Sequence, residues 1–264
     1  MPTMDTILAQ VTNSAAVIAA TVAAGDTLTV RNFQAPSEGL LEGITVKGGQ
    51  ATTVRILSPY FHDTTRGITY ITAQAPTERT IPRQAPQRLV AQDVLQLQGN
   101  SGAANSSIFA LHNYYTDLGA SGARLHSWGD IAGLIAEIKP VEVDCTASAT
   151  IGAWSDTAVT ATENLLKANT DYAVLGYMLD VAVGVIAIKG QDTGNLRCGA
   201  PGSVLTDTSS EYFIRQTEET GRPHIPVINA ANVNNTVVSV ADNAASTAVR
   251  VQLILAELSS NLSS

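Results

Sequence analysis

Charge is scarce in this sequence. Asp, Glu, Lys and Arg make up only 14% of its 264 residues, and the formal net charge is −8. The 15 basic residues are scattered, with no Lys/Arg block and no basic arm at either end. Nucleic-acid binders neutralise phosphates with clustered cations, so direct nucleic-acid contact is not expected. Cysteine is nearly absent. Cys145 and Cys198 lie far apart, outside any metal-ligand spacing, and are expected to be free thiols. No apolar run approaches the roughly 20 residues that a membrane-spanning helix needs. The Ala-rich stretch before Gly25 is preceded by no cation, and Asp5 stands where a signal peptide carries Lys or Arg, so no signal is expected.

Catalytic patterns are missing too. The four histidines, His62, His112, His126 and His224, form neither H-x-x-x-H nor H-E-x-x-H, so zinc has no support. His112 falls in an expected strand and reads as a packed or surface histidine rather than a ligand. His62–Asp63 follows Phe61 in a loop, and nothing around it completes an active-site pattern. There is no nucleophile elbow, phosphate-binding loop or dinucleotide fingerprint. The turn Gln191–Asn195 sets Asp192, Thr193 and Asn195 around a glycine, a partial match to a Ca²⁺ loop without the full ligand order. Asp and Asn are equally ordinary turn formers. No enzyme activity, cofactor, metal or small-molecule substrate is expected.

What is plentiful is strand material. Hydrophobic residues reach 45% while aromatics are only 5%, and Ala, Thr, Val, Ser and Asn dominate. Val, Ile and Thr suit half-buried sheet faces. Two stretches echo each other: Leu41–Pro59 (L-E-G-I-T-V-K-G-G-Q-A-T-T-V-R-I-L-S-P) and Val183–Pro201 (V-G-V-I-A-I-K-G-Q-D-T-G-N-L-R-C-G-A-P). Aligned end to end, they pair Ile44 with Ile186, Lys47 with Lys189, Gly48 with Gly190, Arg55 with Arg197 and Pro59 with Pro201. A strand–turn–strand unit that returns half a chain later implies two copies of one domain.

Taken in order, Ile7, Val11, Ala15, Ile18 and Val22 fall at helical spacing, which predicts an N-terminal arm or helix over 1–24. A first β-sandwich domain is expected over 25–118, with strands at Thr27–Phe33, Leu40–Lys47, Thr53–Leu57, Gly67–Gln74, Leu89–Gln98 and Ser107–Tyr115. A connector with a short helix capped by Asp130 is expected over 119–168. A second sandwich is expected over 169–264, including a short strand at Glu211–Gln216 and a loop at Thr217–Pro226 that parallels Ala75–Pro86. The fold class is therefore all-β: two tandem antiparallel β-sandwich, jelly-roll-like domains from an internal duplication, with short helices at the N-terminus and connector.

A tandem pair of sandwiches with few charges and no catalytic motif resembles the tandem jelly-roll capsid proteins, and more loosely the proteins that cement or decorate icosahedral heads. That resemblance implies a virion structural protein, assembled in the host cytoplasm, whose partners are copies of itself in a homotrimer and other capsid proteins. The trimer follows because two similar domains per chain give six similar units. Residues expected at intersubunit contacts are Ile7, Val11 and Ile18 of the N-terminal apolar face and Lys47, Arg55, Lys189 and Arg197, together with the loops Ala75–Pro86 and Thr217–Pro226. For the two cation pairs the alternative is solvent-facing strand ends. The competing class is a carbohydrate- or receptor-binding module. It would need an exposed aromatic platform, for which Trp128, Trp154, Tyr114 and Tyr115 are the candidates.

Overall fold

The structure is a computed structural model and describes residues 1–49, 52–60, 63–72, 81–119, 122–159 and 166–262. Its first half contains β1 (Thr3–Ser14), β2 (Ile18–Ala19), β3 (Thr21–Val22), β4 (Gly39–Gly48), β5 (Thr52–Ser58), β6 (Asp63–Thr72), β7 (Gln87–Leu89), β8 (Gln96–Gly99) and β9 (Gly102–Tyr115). Its second half contains β10 (Leu125–His126), α1 (Trp128–Ile131), β11 (Ile135–Thr146), β12 (Ser155–Ala158), β13 (Asp171–Leu179) and β14 (Val185–Lys189). It continues with β15 (Cys198–Pro201), α2 (Thr206–Ser209), α3 (Tyr212–Thr220), β16 (Ile225–Asn229), β17 (Val237–Ala241) and β18 (Ala248–Leu258).

These strands form four antiparallel sheets. The first half pairs β3-β1-β9-β4-β7 with β2-β8-β5-β6, and the second pairs β10-β16-β13-β18-β11 with β12-β17-β14-β15. Setting aside the short extra strands β3 and β10, each half has eight strands among the described residues. In both, the first, eighth, third and sixth lie side by side in one sheet, and the second, seventh, fourth and fifth in the other. That shared order is a jelly roll, and the chain is two of them in tandem.

The strand order corrects the alignment of the repeat. β4 matches β13 and β5 matches β14, whereas the sequence echo set β4–β5 against β14–β15, one strand out of step. Leu111 faces Ile7 and Ile44 across the first half, while Leu253 faces Val141 and Tyr177 across the second. Ile44 is therefore the counterpart of Tyr177 and not of Ile186. The retained Ile, Lys-Gly, Arg and Pro are generic features of a strand leading into a tight turn, so neighbouring hairpins share them.

Local corrections follow from burial. The N-terminal helix is strand β1, because apolar residues occupy both its faces and their combined spacing imitates a helix. Ile7, Ala9 and Val11 enter the first-half core, while Met4 and Leu8 join clusters shared with the second half. Strands β11 and β12 lie inside the expected connector. Thr27–Phe33 forms no strand, only a bridge from Thr29 to Val94. Leu89–Gln98 divides into β7 and β8. Glu211–Gln216 belongs largely to α3, which buries Tyr212, Phe213, Gln216 and Thr217 and ends at Gly221 with φ 68°. Asp130 does support a short helix, accepting from the Ser127 N–H and hydroxyl, but that helix ends at Ile131 and strand resumes at Ile135. Helical turns are expected from the sequence over Thr162–Ala168; residues 160–165 lie outside the described residues, and 166–168 form no helix.

Candidate assembly interface

The alternation of β1, β4 and β9 decides how the halves meet. Odd-numbered Phe109, Leu111 and Tyr115 of β9 fill the first-half core, and even-numbered Ile108, Ala110 and Tyr114 point the other way. That second face is covered by the outer face of β12-β17-β14-β15. Leu8, Ile108 and Ala110 pack with Val185 and Ala241. Two glycines permit the approach. A Cβ on Gly199 would lie 2.3 Å from the Thr6 hydroxyl, and one on Gly184 would lie 1.9 Å from the Ile108 Cδ1.

Several polar groups in this seam are paired across it, although Arg197 Nε and Gln10 Oε1 are buried without a hydrogen-bond partner. The Thr6 N–H donates to the Arg197 carbonyl at 2.9 Å, and the Gly199 N–H donates to Thr6 Oγ1 at 3.0 Å. Thr6 Oγ1 lies 3.2 Å from His112 Nδ1, whose Nε2 lies 2.8 Å from Thr45 Oγ1. His112 is thus a buried structural residue. At one edge, Asp26 accepts from the Leu8 N–H and from Trp154 Nε1, each at 2.8 Å. The Arg197 guanidinium stacks 4.8 Å from the Trp154 ring and reaches Asp26 at 3.5 Å and Asp156 at 3.3 Å. Burial raises the Asp26 carboxyl above its ordinary value, and its bonds from Trp154 and Leu8 only partly offset this. At another edge, Lys47 donates to the Asp242 carboxylate at 2.7 Å and to the Ala182 carbonyl at 2.9 Å.

A third edge holds Glu42, Arg222 and His224. Arg222 grips Glu42 Oε1 through Nε at 3.0 Å and Nη2 at 2.7 Å, and His224 Nε2 lies 2.7 Å from Oε2. Tyr114 stacks on the His224 ring at 4.8 Å. Burial, helped by the Glu42 charge, pushes the Tyr114 phenol well upward. Arg83 and Glu219, far apart in sequence, form an ion pair, so residues 81–86 and the segment from Thr217 meet within one chain, while residues 75–80 of the expected loop lie outside the described residues.

The residues expected at contacts between copies are therefore largely engaged inside the molecule. Ile7 and Val11, 4% and 2% exposed, are core. Lys47 and Arg197 cross the seam between halves, and Lys189 lies 3.9 Å from Asp156 beside it. Only Ile18 and Arg55 look outward. Ile18 is 43% exposed, and Arg55 bonds Thr69 at 3.2 Å on the outer face of β2-β8-β5-β6.

Among the described residues one sheet face stays open and a second is covered only in part, by α2 and α3, and sequence reasoning did not find either. The first is that outer face, with Thr53, Arg55, Thr69, Gln96 and Gln98 and with Ile71 at 84% exposure. The second is the outer face of β10-β16-β13-β18-β11. There Ile138, Ile254, Leu175, Trp128, Ile135 and Ile214 line a groove of about 510 Å³, rimmed by Glu211 and Glu218. Glu142 and Asp144 stand exposed on the same side of β11. The signal was present as outward-phase isoleucines on otherwise alternating strands.

With that geometry established, similarity to known proteins adds little weight. No family model and no curated protein matches this chain. Among solved structures, a chain of the atomic structure of Sulfolobus Turreted Icosahedral Virus is similar over 100% of this chain and 82% of its own, at 7% identity and a TM-score of 0.27. The STIV MCP crystal structure is similar over 98% and 97%, at 10% identity and a TM-score of 0.24. The strand order carries the fold.

The remaining candidates resolve simply. Asp192 accepts from the Asn229 N–H at 3.0 Å and from Asn232 Nδ2 at 3.1 Å and faces Arg124, so its oxygens serve the fold rather than a Ca²⁺ loop. Beside it, Arg124 binds Asp171. Burial acts to raise the Asp171 carboxyl, but the bonds from Arg124, Asn229 and the Leu262 N–H outweigh it and hold it below its ordinary value. Among the described residues no group of His, Cys, Asp and Glu is placed to hold a metal. Cys145 and Cys198 are free and buried, and burial pushes the Cys198 thiol up to about 12. Tyr114 and Tyr115 are core, and Trp154 is held under Arg197, so these aromatics build no platform. No helix among the described residues is long and apolar enough to cross a membrane. His62 lies outside them.

Proposed function

We propose that this chain is a virion structural protein that forms or cements an icosahedral capsid shell as a homotrimer. One observation carries the reading. The tandem jelly roll closes one five-stranded sheet against its own second half, whereas the equivalent sheet carries only α2, α3 and an apolar groove on its outer side, and the four-stranded β2-β8-β5-β6 sheet exposes its outer face among the described residues. Contact of the partly covered β10-β16-β13-β18-β11 face with the open β2-β8-β5-β6 face of another copy repeats the intrachain seam between chains. Such a contact is heterologous, and it closes into a ring when the rotation allows. Six similar units from three chains make such a ring. Arg55 and Ile71 lie on one side of this contact, and Ile138 lies on the other beside Glu142 and Asp144, which flank Arg250, so apolar area meets apolar area.

The likeness to capsid structures agrees with this role. Localisation in the virion, assembly in the host cytoplasm and partnership with other capsid proteins follow from the same reading. Electron microscopy of the purified chain tests it. Self-assembled cages identify a shell former, and isolated trimers that bind preformed shells identify a cement protein. Monomers that bind no shell contradict both.

A further inference from the structure

The segment that follows β18 folds back over the start of β13 and ends in a site that reads its backbone. The Leu262 N–H donates to Asp171 Oδ2 at 2.9 Å, and the Leu262 carbonyl accepts from Arg124 Nη2 at 2.9 Å. Asn261 Oδ1 accepts from the Asp171 N–H at 3.0 Å, and Asn261 Nδ2 donates to the Asn169 carbonyl at 2.7 Å. The Leu262 side chain packs against the second-half core. We propose that Arg124, Asn169 and Asp171 form a peptide-binding site, filled by the chain's own Asn261–Leu262, in which the same two residues of a second copy can take their place. This goes beyond the capsid reading and does not depend on it.

The site is held from several sides without the segment. Asp171 opens β13 opposite Asn229 of β16 and is fully buried. Its carboxylate accepts from Arg124 Nη1 at 3.0 Å and from Asn229 Nδ2 at 2.7 Å. Arg124 is fixed through its backbone. Its N–H donates to the Asp192 carbonyl at 2.8 Å, and its own carbonyl accepts from the Val227 N–H at 2.9 Å. Both side chains therefore stay in place when the segment leaves. The carboxylate then lacks a donor and the guanidinium an acceptor, away from bulk water, which favours a replacement of the same chemistry.

The segment itself is held lightly. Ser259, Ser260 and Asn261 are exposed and Leu262 is only half-buried, so few buried contacts oppose its local release. Reading the N–H and the carbonyl of one residue together demands an extended backbone there, while the Asn amide and the Leu socket select the sequence. Leu262 stands four residues beyond the end of β18, a reach of about 14 Å. Exchange therefore requires the β18 end of one copy within that distance of the site on the other.

A chain ending at Ser260, titrated with a synthetic hexapeptide of residues 259–264 and followed by amide NMR, tests the site. Millimolar peptide matches the effective concentration of a short tether. Removing residues 261–264 takes the acceptor from the Asp171 N–H and should shift its signal, and the peptide should return that signal toward its position in the parent. A peptide with Leu262→Pro offers Asp171 no N–H and should bind about tenfold more weakly. The full-length variant with Asn261→Ala and Leu262→Ala empties the site if the shortened chain does not fold. An Asp171 signal that the peptide leaves unmoved, or that both peptides move at equal concentration, would overturn the proposal.

Discussion

The sheets β3-β1-β9-β4-β7 and β10-β16-β13-β18-β11 share one strand order but face different neighbours. The first is buried on both sides, between its own four-stranded sheet and that of the second half. The second is buried on one side and carries α2, α3 and an apolar groove on the other. The sequences reflect this difference. β1 is buried continuously from Thr3 to Ala9, including Asp5 and Thr6, whereas its counterpart β11 alternates cleanly from Val141 to Thr146 between core and solvent. A jelly roll needs only the alternating pattern. The extra buried face of β1, β4 and β9 is the mark of a partner, and here the partner is the same chain.

Substitutions that break the closed face should cost far more than those on the open one. Glu42→Ala strips both Arg222 and His224 of their buried partner and should destabilise by about 3–5 kcal/mol in urea unfolding. Gly199→Ala drives a Cβ into Thr6 and disturbs the Thr6–His112–Thr45 chain, for an expected loss of about 1–3 kcal/mol. Trp154→Phe leaves the buried Asp26 one donor short. It should cost about 1–2 kcal/mol and raise the Asp26 pKa further, readable by carboxyl NMR.

Smaller effects sharpen the contrast. Burial, with Arg124 close by, depresses His126 on β10, so the folded state favours its neutral ring. That contribution is present above the unfolded histidine value of about 6.5 and is lost as pH falls through the depressed folded value. His126→Gln should flatten the acid side of the urea-midpoint profile slightly, because the ring is only half-buried. On the open face, Glu142 pairs with Arg250 at 3.0 Å in solvent, and Glu142→Ala should change stability by less than about 0.5 kcal/mol.

The jelly-roll class was legible because β-branched residues alternate and Pro- or Gly-containing turns recur at short intervals. Strands β4, β5 and β9 fall where alternation places them. The misreadings share a physical cause. In β1, Ile7 and Val11 belong to one face and Met4 and Leu8 to the other, and two superposed apolar faces erase the period of two. In α3, Tyr212, Phe213 and Ile214 favour strand locally, yet the surface of β13 demands a covering element. Gly176, where a Cβ would meet the Ser209 and Ser210 carbonyls at 2.3 Å, is where the α2–α3 junction seats. Lys47 and Arg197 read from sequence either as solvent-facing strand ends or as contacts between copies, and sequence carries no sign that their contacts lie within one chain. Glu42 and His224 lie far apart in sequence, and only the fold makes them neighbours.

The central claim is that the two outer faces meet between copies as the closed faces meet within one chain. Native mass spectrometry of the purified chain, beside a double variant with Ile71→Glu and Ile138→Glu, tests it most directly. Both side chains are exposed, so the variant should fold normally. The account predicts three chains per particle for the parent and single chains for the variant. A parent that stays monomeric, or a variant that assembles as the parent does, would contradict it.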